Sequence, residues 1–336
     1  MSSRESAQNP QHFLITRDFA ALPVILAILL YILIYFLRWQ QGGWEIELDL
    51  FPNFREDLDH RISQLLPSPQ AELLSGIVLG NKKDLPISLK LALRDTSTLH
   101  IVVVSGQNLT LLAGVFMNLA GLLNRKLAIF ITLIAICGYI ILTGAQIPVL
   151  RAAIMAFFAY SAQIFGRQKD GVWVLIITAL LLLLINPAWI LDLSFQLSFL
   201  ATTGVVIVAP IFLKYLKSIP LIGQDLAVTT GAQLMIMPVI IQNFHQLSLA
   251  GVAANLLVLW TIPFMMILGS VTLLVSSISY LLAQILALAL SALLTYFIYV
   301  VSFFASLPFA WEYVGEQMWI VWVGYYMILA GVLFML

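Results

Sequence analysis

The chain has 336 residues, of which 62% are hydrophobic and 10% charged, and its 16 basic and 16 acidic side chains cancel to a net charge of +0. Such a balance lies far outside that of a soluble globular domain and marks a polytopic membrane protein, while the neutral total gives no whole-chain attraction for nucleic acid. Cys137, the single cysteine, sits in an apolar run and reads as a small apolar filler, with no disulfide framework and no thiolate metal site available.

Residues Met1 to Asp18 are polar, and the apolar run Phe19 to Leu37 that follows has spanning length with no small-residue cleavage pattern behind it. It reads as a first transmembrane anchor, so that 1–38 form an N-terminus plus anchor and 39–98 a more polar segment. Within that segment Trp44 to Phe51 alternates apolar and acidic residues, the period of a half-buried strand. Phe54, Leu58, Ile62 and Leu65 then recur at helical spacing, which suits a helix lying on the membrane surface. Two apolar pieces, Ala71 to Leu79 and Ile87 to Leu93, are too short to cross a bilayer and are expected as interfacial or re-entrant helices.

From 99 to 336 the chain is expected to form one transmembrane domain, with spans near 99–123, 127–145, 148–166, 172–187, 193–213, 226–243, 251–276, 280–306 and 319–336. With the anchor this gives an all-α polytopic integral membrane protein of about ten transmembrane helices. Arg4 and Arg17 precede the first span, and alternate connections hold Arg125 and Lys126, Arg167 and Lys169, then Lys214 and Lys217. The opposite loops, near Gln146, Pro187, Phe244 and Pro308, hold neither Lys nor Arg. The positive-inside rule therefore puts the N-terminus in the cytoplasm and 38–98 outside, and an even number of spans returns the C-terminus to the cytoplasm.

The second span is interrupted by Ser105-Gly106-Gln107-Asn108, five residues after His100. Lipid offers no water to freed backbone groups, so a discontinuous span at that depth survives only against protein or a wet cavity, and such breaks commonly mark substrate sites. The same residues also suit a simple helix-packing notch, and His100 a headgroup-level position. Arg151 opens a later span and either snorkels to the surface or meets a partner; Asp192 falls at a matching level and serves as that partner, as N-cap of the next span, or as both. Ser194, Gln196 and Ser198 alternate with apolar residues, and Gln233, Gln242, His245 and Asn255 add amides and an imidazole without a carboxylate cluster. Lys82, Lys83, Lys90 and Arg94 form a cationic patch suited either to a polyanion or to headgroup anchoring. No metal-ligand spacing, P-loop or nucleophile motif occurs, so neither metal, cofactor nor enzymatic activity is expected.

Four motifs in order carry a resemblance. His100-x4-Ser105-Gly106, Arg151-Ala152 with a following Met155, the run Asp192 to Gly204, and Gln233 through Pro238, Phe244 and Asn255 to Pro263 together resemble the competence domain of ComEC family DNA-uptake proteins. The resemblance covers about 67–306 and implies a bacterial inner-membrane channel that passes single-stranded DNA into the cytoplasm in natural transformation. His100, Ser105, Gly106, Arg151, Asp192, Ser194, Gln196, Ser198, Gln233, Asn255 and Pro263 match its motif positions, whereas Asn108 stands where the family often has a second histidine. Residues 39–66 are too few for the oligonucleotide-fold barrel that members commonly carry, and the chain ends in an apolar span without a nuclease domain. Either the chain is a minimal member or its C-terminus has been lost; a separate nuclease and, since no ATP site is present, a cytosolic motor are expected partners alongside DNA and membrane lipid. Two other classes fit the residues themselves: a secondary transporter for a small polar or anionic solute, and a non-conducting membrane scaffold.

Overall fold

The computed structural model describes residues 10–42, 51–81, 85–102, 106–119, 124–144, 146–164, 170–216 and 223–335. The expected strand at 44–51 falls almost wholly outside them, and so do Lys82, Lys83, Ser105, Arg167, Lys169 and Lys217. Two compact units are formed, residues 1–45 with 180–191, and residues 46–179 with 192–336. In the first, α1 (Pro10–Gln41) carries Tyr31, whose hydroxyl donates to the Leu180 carbonyl at 3.1 Å, and the Asn186 side chain caps a 3-10 turn, Pro187–Leu191.

Among its described residues the second unit is all-α apart from one short ribbon. Its helices are α2 (Pro52–Leu65), α3 (Gln70–Leu79), α4 (Ile87–Asp95), α5 (Leu99–Val102), α6 (Gly106–Leu119), α7 (Arg125–Thr143) and α8 (Ile147–Ile164). After α9 (Gly171–Ile185), which runs into the first unit, come α10 (Leu193–Thr203), a π-helical turn (Gly204–Val208), α11 (Ala209–Leu216), α12 (Gly223–Phe244), α13 (Gly251–Val258), α14 (Thr261–Ser276), α15 (Tyr280–Ala305) and α16 (Trp319–Met335). β1 (Gln246–Ser248) pairs antiparallel with β2 (Trp311–Tyr313).

Among the described residues four helices are long and apolar enough to cross a membrane: Lys126–Thr143, Leu193–Leu216, Gly223–Phe244 and Tyr280–Ala305. A fifth is reached if α13 and α14, bent by 45°, count as one broken span. The region of the expected second span holds the short helices α5 and α6, neither long enough to count as a crossing, and residues 103–105, next to the expected break, lie outside the described residues. The run expected as one helix over 251–276 is thus bent, at Leu259-Trp260.

α3, expected as an interfacial or re-entrant helix, is packed inside protein: eight of its ten residues are buried, in a core shared with Leu93, Leu109, Ile262, Met265, Leu290, Leu294 and Phe297. Its end is fixed by Gly80, whose φ of 77° is open to glycine at little cost and lets the Gly80 N–H donate to the Gly76 carbonyl at 3.2 Å. α2 covers it: the Asp59 carboxylate accepts from the Ser75 hydroxyl and, at 3.5 Å, from the Asn81 amide.

The π turn after α10 meets α12 backbone to backbone. A Cβ at Gly204 would clash with the Gly231 carbonyl oxygen, and one at Gly231 would stand 2.8 Å from the Gly204 oxygen and 2.9 Å from the Ala209 nitrogen. Only glycines permit backbones to touch in this way, and the π turn begins at the contact. In α12, Pro238 has no N–H for the carbonyl of Leu234; the Tyr325 hydroxyl donates to that oxygen instead, at 2.9 Å, and the Tyr326 hydroxyl to Met235 O at 2.8 Å.

Candidate functional site

Arg151, in the second turn of α8, sits where α6, α8 and α10 converge. One Nη donates to the Ser198 carbonyl and to the Thr202 hydroxyl of α10, and the guanidinium stands 6.0 Å from the centre of the Phe199 ring. Its other Nη lies against Gly106 of α6, at 2.5 Å from where a Cβ would be, so any side chain there would collide with it. The Nε is buried and, among the described residues, has no acceptor. Arg151 is thus a cation turned onto neighbouring helices and held by neutral oxygens, with its Nε left over, a costly arrangement in an apolar surrounding.

Asp192 is not its partner. The carboxylate accepts from Phe195 N at 2.9 Å, as N-cap of α10, while Arg151 engages that helix at Ser198 and Thr202, two and three turns further on. The capping role separates two substitutions: Asp192→Asn, which can still cap, should leave thermal stability unchanged, while Asp192→Ala should lower it by about 1 kcal/mol. Equal melting of the two variants in detergent would show that the cap is not what Asp192 contributes. Ser194 is exposed, and Ser198 acts through its carbonyl rather than its hydroxyl. Phe199 and Thr202 complete the site without having been singled out in the sequence. The spacing was the signal, since Thr202 shares a helix face with Ser198 at i+4 and with Phe199 at i+3.

The remaining candidates separate into other places. Asn108 is buried and donates to Ile77 O at 3.2 Å, tying α6 to the core helix α3. His100 is exposed, its Nδ1 at 2.8 Å from the Ser97 carbonyl, and Ser97 itself adopts a left-handed φ of 52°. That turn packs on Gly251, where Gln233 Nε2 and Ser248 Oγ also approach; the Ser248 hydroxyl donates to Asp95 O at 2.7 Å. Asn255, a turn later in α13, is buried with its Oδ1 lacking a donor among the described residues. Ser97, Gln233 and Ser248 thus meet at the start of α13 in one polar junction, which His100 joins only through the Ser97 carbonyl, apart from the Arg151 contacts. The cationic patch is reduced, because Arg94 is paired with Asp95 at 2.9 Å, while Lys90 is exposed. Among the described residues no group of three or more His, Cys, Asp or Glu is placed to hold a metal ion.

A family model described as Competence protein matches residues 77–336, which includes every residue of the Arg151 site and of the polar junction. The chain belongs to the Competence protein family. It is 27% identical over 211 residues, 62% of this chain, to ComE operon protein 3 of Bacillus subtilis, and 31% identical over 219 residues, 60% of this chain, to the uncharacterized protein YcaI of Escherichia coli. Those matches span 27% and 28% of the two relatives, so the chain corresponds to about a quarter of the length of each. No solved structure matches it. Membership in this family agrees with the order of motifs from His100 to Pro263.

Proposed function

We propose that this chain conducts single-stranded DNA across the bacterial inner membrane in natural transformation, along a path bordered by α6, α8 and α10. Arg151 carries the reading: a guanidinium at membrane depth, held only by neutral groups and with an unused donor, suits the transient passage of phosphodiesters. A carboxylate partner would have cancelled that attraction. In this reading the chain breaks no bond itself, a separate nuclease delivers the single strand, a cytosolic motor pulls, and Phe199 offers a sequence-tolerant surface for bases.

The test is binding of a labelled single-stranded oligonucleotide to the purified full chain in nanodiscs, followed by fluorescence anisotropy over a series of salt concentrations. Arg151→Gln should weaken binding and reduce the logarithmic salt slope by about 0.7, one phosphate contact on a single strand. An unchanged slope, or equal affinity for a small dicarboxylate solute, would turn the reading toward a solute transporter. Metal-dependent cutting of the oligonucleotide by a clean preparation would contradict the non-enzymatic part.

For the membrane arrangement we infer a cytoplasmic N-terminus from the cationic loops, but fewer complete crossings than ten. Arg55 Nε donates to Leu142 O at 2.9 Å and an Arg61 Nη to the Ser277 hydroxyl at 3.2 Å. Six residues of helix cover about 9 Å, too little to bridge a hydrocarbon core of about 30 Å even with both side chains extended. The α7–α8 and α14–α15 turns therefore open on one side, whereas the five spans expected between them would put them on opposite sides. Cysteines at Gln146 and Ser277 should react with an impermeant reagent from the same face; labelling from opposite faces would restore the full alternation.

A further inference from the structure

Away from the Arg151 site, α2 and the α14–α15 turn enclose a cleft of about 190 Å³, lined by Asp57, His60, Arg61, Gln64, Leu65, Ser276 and Tyr280. Six of these seven residues are polar, yet the surface beside them is apolar and open: Leu274 is 71% exposed and Ile278 88%, and Phe51 and Phe54 project from α2. A polar cleft framed by exposed hydrocarbon is the surrounding that a phospholipid headgroup requires, with acyl chains continuing along the apolar rim. At ~30 Å³ per water the cleft holds on the order of six waters, the scale of a small headgroup.

Its charges are arranged in a pair. Asp57 and Arg61, one helical turn apart, meet at 2.8 Å; Arg61 also donates to Ser277, and Tyr280 OH donates to Gln64 O at 3.2 Å, which closes the floor. Arg61 and His60 offer donors for a phosphate, and the outer edge of the Asp57 carboxylate offers an acceptor for an ammonium. We propose that this cleft binds a zwitterionic phospholipid headgroup of the phosphoethanolamine type, phosphate toward Arg61 and His60 and ammonium toward Asp57. A purely anionic headgroup or a nucleic-acid phosphate is disfavoured, because α2 bears Glu56, Asp57 and Asp59 against Arg55 and Arg61.

The test reconstitutes the full chain in nanodiscs of equal phosphatidylethanolamine and phosphatidylglycerol, followed by detergent extraction and native mass spectrometry of retained lipid. The wild type should keep one phosphatidylethanolamine with about tenfold preference, the size of one charged hydrogen bond. Asp57→Asn, whose amide oxygen still accepts from Arg61, should abolish the preference while retaining phospholipid; His60→Gln with Arg61→Gln should lose both lipids. Preference for phosphatidylglycerol in the wild type, or an unchanged preference in Asp57→Asn, would overturn the proposal. Excess soluble phosphoethanolamine should fail to displace the lipid, since it lacks acyl chains; displacement by it would reassign the cleft to a free phosphoester, and displacement by a single-stranded oligonucleotide to DNA.

Discussion

Gly204→Ala is expected to destabilise the chain by about 3 kcal/mol or more, at the upper end of what an overpacked methyl costs. The added carbon would stand well inside van der Waals contact of the Gly231 carbonyl, and neither side of that contact is a flexible side chain that can swing away. α10 and α12 must then separate, which loosens the π turn and the segment presenting Ser198 and Thr202 to Arg151. Gly138→Ala is the control: a Cβ there meets nothing within 4 Å, and the change should be neutral or raise stability by up to about 1 kcal/mol through helix propensity. Thermal unfolding in detergent and abundance in the membrane report both. Equal stability of Gly204→Ala and Gly138→Ala would mean that the two backbones do not touch.

Arg151→Gln is expected to reduce single-strand uptake at least tenfold while leaving the chain folded. Glutamine loses hydrogen bonds to Ser198 O and Thr202, about 1–3 kcal/mol, but also removes a buried charge whose insertion costs about 2.5–3.5 kcal/mol at a span centre. The two effects are of similar size, so membrane abundance should change little and any functional loss belongs to the charge. Lysine should restore only part of the activity, because an ammonium cannot engage Ser198, Thr202 and a phosphate with a planar fork. The Asp192→Asn change added to Arg151→Gln should rescue nothing, since the two side chains make no pair. Rescue by the double change would require an Arg151–Asp192 contact in the conducting state. Normal uptake with Arg151→Gln at equal abundance would remove Arg151 from transport and favour the scaffold.

Much of the architecture was legible in composition and local pattern. The apolar runs mark the helices of a membrane protein, Pro and Gly mark their ends, and Asp192 before Leu193-Ser194-Phe195 reads correctly as a cap because capping involves only neighbours three residues apart. The ordered motifs point to the Competence family, and Arg151 stands out because a charge in a span needs a reason.

What those local signals do not carry is which helix faces meet. In a soluble helix one apolar stripe faces the core, but here lipid-facing and protein-facing sides are both apolar, so periodicity distinguishes neither. The burial of α3, which looks like an interfacial helix by length, follows from α2, α14 and α15 closing around it. Gly204 against Gly231, Tyr325 on the carbonyl freed by Pro238, and Arg151 on Ser198 and Thr202 join positions far apart in the chain. The first is a close approach of two backbones, and the other two satisfy polar groups against one another in a medium without water. Such contacts depend on which helices pack together, and the residue types alone leave several partners equally acceptable.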